Sequence, residues 1–173
     1  MLPSDNQGNF PACAGYAMAA WIEAHNWWNT NVAQQVDALA LYRRAKELDG
    51  GVGEGTTFQS IIQSAKDLRF VPEASKARFL RTASDVKFAM HKHRICLGGF
   101  DITTEWNEVD SETGFIANKR GSSLGGHAVL ICWYDEVSVG FQNSWSMDWG
   151  DKGFGRMTWE QFEKQFLYGA VVE

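Results

Sequence analysis

Four polar side chains stand among glycines and tryptophans in this 173-residue chain: Gln7, Cys13, His127 and Asn143. Together they are the parts of an acyl-transfer site. A cysteine attacks a carbonyl carbon as its thiolate, which a helix N-terminus and a neighbouring imidazolium both favour. A histidine takes the thiol proton and returns it to the leaving amine, provided a third group fixes its ring tautomer. His127 suits the first post and Asn143 the second. The negative oxygen of the tetrahedral intermediate needs preorganised donors, commonly a backbone N–H beside the nucleophile and a side-chain amide. Gln7, six residues before Cys13, can supply the amide.

The elements that must position these groups change character along the chain, helical first and β-rich later. Tyr16, Ala17, Ala20, Trp21 and Ala24 recur at helical spacing, with Pro11 just upstream. They predict a helix from Cys13 to about Trp28, which places Cys13 on its first turn. A second helix is expected from about Asn31 to Leu48, stopped by Asp49-Gly50-Gly51, and a third from Phe58 to Leu68 after the capping pair Thr56-Thr57. A fourth opens at Ser84-Asp85-Val86-Lys87 and ends near His93. Arg94 to Ile102 then reads as a strand. His127 to Tyr134 and Val137 to Gln142 read as paired strands, followed by a strand near Gly155 to Thr158 and a short helix or turn from Trp159 to Phe166. The acidic segment Glu105 to Glu112 reads as a solvated loop. Gly121 to Gly126 reads as a flexible loop before the base, not a phosphate cradle, because no Lys-Ser/Thr follows it.

Three segments carry a resemblance. Gln7-Gly8-Asn9-Phe10-Pro11-Ala12-Cys13, Gly126-His127-Ala128-Val129-Leu130 and Asn143-Ser144-Trp145-Ser146-Met147-Asp148-Trp149-Gly150 resemble, in order, the motifs of papain-like cysteine peptidases. Leu41-Tyr42-Arg43-Arg44-Ala45-Lys46-Glu47-Leu48 and Gly55-Thr56-Thr57-Phe58 resemble the second helix and substrate-facing loop of compact prokaryotic or phage-type members. The resemblance implies an α+β, two-lobe fold in a single domain. A helical lobe over about residues 8–93 would pack on an antiparallel sheet or partial barrel over about 94–173. It implies Cys13 as nucleophile, His127 as base and acid, Asn143 as orienting amide, Gln7 as oxyanion donor and Trp145 as a cover on the imidazole–amide bond. Gly55 would pair with substrate backbone, Thr57 and Ala128 would line the pocket for the residue second from the cut, and Trp149 would lie on the leaving-group side.

A peptide or protein would bind extended in the cleft between lobes and be hydrolysed through an acyl-enzyme thioester, with no metal or organic cofactor. Three positions depart from the family pattern. Ala14 stands where Trp usually follows the nucleophile, Gly126 where Asp or Asn often precedes the histidine, and Phe10 where a disulfide cysteine is usual. Two other readings use the same residues: hydrolysis or transamidation of another amide, such as a peptidoglycan crosslink, and a non-catalytic binding module.

Composition narrows the field further. A net charge of -5 with both signs dispersed gives no basic stripe for nucleic acid. The longest apolar runs fall far short of the roughly 20 residues that span a bilayer. The segment Met1 to Gln7 lacks a secretory pattern, and three cysteines do not make a paired framework, so free thiols and a cytoplasmic, reducing setting are expected. Cys96 and Cys132 read as buried thiols. His91 and His93, two apart on a helix, point to different faces and so do not form a metal site with Cys96. Oligomeric state leaves no trace in the sequence.

Overall fold

A computed structural model describes residues 3–118 and 121–173. Helix α1 (Cys13–Thr30) begins at Cys13 itself, and its N-cap, Ala12, contributes no side-chain hydrogen bond. The first-turn amides therefore keep their donors for other acceptors. The helix ends where Asn31 turns left-handed at φ 55°. Helix α2 (Ala38–Leu48) starts well beyond Asn31, where periodicity placed it. Asp37 caps it by accepting from the Ala40 N–H at 2.9 Å, and Glu23 Oε1 accepts from the Val36 N–H at 2.8 Å. The segment before Asp37 is thus tied to α1 and kept out of the helix. Helix α3 (Phe58–Asp67) is capped by Thr57, as its sequence indicates.

Six strands form one antiparallel sheet in the order β1-β6-β2-β3-β4-β5. They are β1 (Ala77–Leu80), β2 (Cys96–Thr103), β3 (Ser123–Tyr134), β4 (Ser138–Gln142), β5 (Phe154–Thr158) and β6 (Phe166–Val172). Alternation on β3 separates two cores. Ala128 and Leu130 meet α1, α2 and α3, while Val129 and Ile131 meet Phe100, Phe141 and the opposite layer. That second layer contains α4 (Ala83–His93) and α5 (Trp159–Gln165).

The architecture is α+β and the sheet is open, with β1 and β5 at its edges. β1 pairs with β6, and Val86, Ala89 and Met90 of α4 join the core on the far face of the sheet. β6 escaped the pattern reading because Ala170, Val171 and Val172 are buried in succession, so no polar alternation marks it.

Two loop expectations are also corrected. Ser123 to Gly126 belong to β3, since β2 supplies partners for them, Gly126 opposite Asp101 and Gly125 opposite Ile102. Thr104–Glu108 forms a short 3-10 helix that buries Glu105 and Trp106, so only the later part of the acidic segment is solvated. No helix among the described residues is long and apolar enough to cross a membrane.

Candidate active site

Packing of α1 on β3 places Cys13 against the strand that carries His127. Cys13, half-buried at the start of α1, adjoins Ala128, whose backbone N–H is directed at the thiol. His127 precedes Ala128 on β3, opposite Phe100 of β2. Its Nε2 lies 2.7 Å from Asn143 Oδ1. That oxygen also accepts from the Ser144 N–H at 2.8 Å, which fixes which end of the amide faces the ring. Nε2 must then be the protonated nitrogen, and Nδ1 is left with its lone pair.

Asn143 follows β4 and is clamped on several sides. Its N–H donates to Gly153 O at 2.9 Å, and its carbonyl accepts from the Ser4 hydroxyl. Residues 4–7 run beside this segment: Asn6 bridges Trp145, and the Ser146 N–H donates to Asp5 O at 3.1 Å. Gln7 is buried here. Its N–H donates to Ser144 O at 2.9 Å, and its Oε1 accepts from the Ser144 hydroxyl at 2.6 Å. The amide nitrogen consequently points the other way, donating to Phe10 O at 2.8 Å on the loop that leads to Cys13. Ser144 therefore orients both amides at once. Sequence reasoning passed over it as part of a motif; the available signal was a hydroxyl adjacent to the orienting amide.

Aromatic rings wall the histidine. The Trp145 ring centre lies 4.7 Å from that of His127, and Trp106 presents its edge at 6.0 Å. Trp106 stacks on Phe141 at 4.9 Å and on Trp149 at 6.0 Å. Trp149 Nε1 donates to Trp106 O at 2.8 Å, so its indole is built into this wall. Trp106 was hidden from sequence reasoning by its acidic neighbours.

Burial sets the electrostatics. It pulls the His127 imidazole down to about 4, with the Asn143 hydrogen bond opposing. It raises the Cys13 thiol, while the amides of Ala128, Ala14 and Cys13 oppose it. The sequence-based expectation was a thiol lowered by the helix terminus. The sign is reversed because losing water costs a thiolate more than three amides return. Both shifts favour the uncharged forms, a thiol at Cys13 and a neutral imidazole at His127.

The remaining sequence candidates lie around this cluster. Gly55 is exposed on the α2–α3 connection, its carbonyl accepting from Lys46 Nζ at 2.9 Å. The Thr57 hydroxyl accepts from the Ser60 N–H at 3.1 Å and is occupied as a helix cap. Cys13, Cys96 and Cys132 are all free. Burial raises Cys132 to about 12 and Cys96 still further. No group of three metal-ligating side chains occurs among the described residues, and His93 Nε2 instead lies 3.1 Å from Glu173 Oε1.

No protein-family model matches the sequence. Solved structures do. Xylellain, a cysteine protease from Xylella fastidiosa, superposes with a TM-score of 0.78 at 20% identity, over 99% of this chain and 82% of that one. Procathepsin B S9 from Trypanosoma congolense gives 0.73 at 16% identity, over 97% and 70%. Digestive procathepsin L 3 of Tenebrio molitor gives 0.74 at 14%, over 99% and 66%. The chain has the papain-like fold. Cys13 opens α1, His127 lies on β3 and Asn143 directly follows β4.

Proposed function

We propose that the chain is a cysteine peptidase that hydrolyses peptide bonds through an acyl-enzyme thioester. The observation that carries this reading is the 2.7 Å bond from His127 to an Asn143 oxygen whose identity Ser144 fixes, one residue from the Ala128 amide aimed at Cys13. Cys13 Sγ attacks the scissile carbonyl carbon as His127 Nδ1 takes the thiol proton. The oxyanion is met by the Cys13 N–H and by the Gln7 side-chain amide, which has a second N–H besides the one given to Phe10 O. The C–N bond breaks and Nδ1–H protonates the departing amine. Water then adds to the thioester, Nδ1 takes its proton, the C–S bond breaks, and thiol and carboxylic acid are released.

In this reading Trp145 keeps water from the His127–Asn143 bond, and Trp149 borders the leaving group. Ala128 and Thr57 line the pocket for the second residue from the cut, and Gly55 offers backbone to an extended peptide or protein. No cofactor takes part. The three free thiols support a reducing, cytoplasmic setting.

Mass spectrometry of products from a diverse peptide mixture and from cell-wall fragments, run in parallel, separates peptidase from other amide hydrolysis. Cleavage within peptides is the expected result. Cleavage of wall crosslinks alone would transfer the same chemistry to a different amide, and cleavage of neither would overturn the hydrolase reading.

A further inference from the structure

The glycine-rich connection between α2 and α3 is held by one face of α2. Gly50, Gly51 and Gly53 all adopt left-handed backbone, at φ 72°, 73° and 67°, and a Cβ added at any of these or at Gly55 would meet nothing within 4 Å. A segment this open needs external anchors to keep one conformation. Tyr42, Lys46 and Asp49 supply them, spaced four and then three residues apart and so stacked on one helical face.

Tyr42 OH donates to Glu54 O at 2.6 Å. Lys46 Nζ donates to Val52 O at 2.6 Å and to Gly55 O at 2.9 Å. Asp49 accepts from the hydroxyls of Thr56 and Ser60. A lysine in the last turn of a helix ordinarily answers that helix's own carbonyls. Here it reaches across to two carbonyls of the connection.

The same helical face ties this connection to the nucleophile. Tyr42 packs on the first turn of α1, where a Cβ at Gly15 would fall 3.0 Å from Tyr42 Cβ, two residues after Cys13. Through one tyrosine, then, the segment carrying Gly55 is set at a fixed offset from Cys13.

We propose that Lys46, with Tyr42, is a positioning residue that fixes the Val52–Gly55 backbone as the edge along which an extended peptide aligns toward Cys13. The proposal rests on the peptidase reading and adds to it the residues that preorganise the docking edge. Preorganisation appears in the capture of an extended ligand and is silent for a reagent too small to touch the edge.

The test compares second-order alkylation of Cys13 by iodoacetamide and by a tripeptidyl chloromethyl ketone. Lys46→Met should slow the peptidyl reagent about tenfold, as expected for losing charged hydrogen bonds that order a docking edge, and leave the iodoacetamide rate unchanged. Lys46→Arg should restore most of the loss. Tyr42→Phe, which keeps the packed ring, should show the same selective slowing if Lys46→Met proves unstable. An unchanged peptidyl rate, or equal slowing of both reagents, overturns the positioning role while leaving the peptidase reading intact. A Cys13 that iodoacetamide labels no faster than Cys96 or Cys132 would sink both.

Discussion

Cys13→Ala is expected to lower peptide turnover by about 10⁴-fold or more, with His127→Ala causing a loss of similar size and the double variant little more. The non-additivity follows from the geometry. Thiol and imidazole act on one proton, so removing either leaves the other without its task. The residual rate reflects binding and the oxyanion donors alone. Cys13 is half-buried at the first position of α1 and has no capping role, so alanine should keep the helix and the thermal midpoint. A variant that retains full turnover with an unchanged fold would remove the thiol from the mechanism.

Gln7→Ala should cost about 10² to 10³ in kcat, with KM little changed, if its amide serves, as proposed, an oxygen that becomes negative only in the transition state. Iodoacetamide alkylation of Cys13 generates no oxyanion and should proceed at the normal rate in the same variant. Ser144→Ala should fall between Gln7→Ala and the natural protein. Without the 2.6 Å bond to Oε1, the Gln7 amide loses one of the two side-chain bonds that hold it beside the loop leading to Cys13. Equal slowing of turnover and alkylation by Gln7→Ala would reassign the residue to holding the site together.

The α+β fold class was legible in the sequence, in the helical first part and the paired strands around His127 and Gln142. Of the candidate site residues, His127 meets Asn143 directly, Gln7 is bonded to Ser144 beside Asn143, and Cys13 packs against the cluster that contains Ala128. β1 and β6 were not legible, since β1 is only four residues long, the buried end of β6 lacks alternation, and their pairing closes over long sequence distance, Ala77 to Val172. The start of α2 was misplaced because a single buried carboxylate, Glu23, holds the Val36 N–H, a tertiary contact that periodicity does not contain. Trp106 lay inside an acidic run, yet it is fully buried against His127. The direction of the Cys13 shift was misjudged for a related reason: motifs name neighbours, while desolvation depends on the whole packed surround.

The central claim is that the Cys13 thiol loses its proton to a neutral His127, and the pH dependence of iodoacetamide incorporation at each cysteine, read by peptide mass mapping, tests it most directly. With the imidazole pulled down to about 4, its basic form persists through mildly acidic solution and is lost as pH falls through that value. Cys13 should therefore label at least tenfold faster than Cys96 and Cys132 from about pH 5 upward, decline below about pH 4, and lose its advantage in His127→Ala. Cysteines that label together, slowly and without regard to His127, would contradict the account.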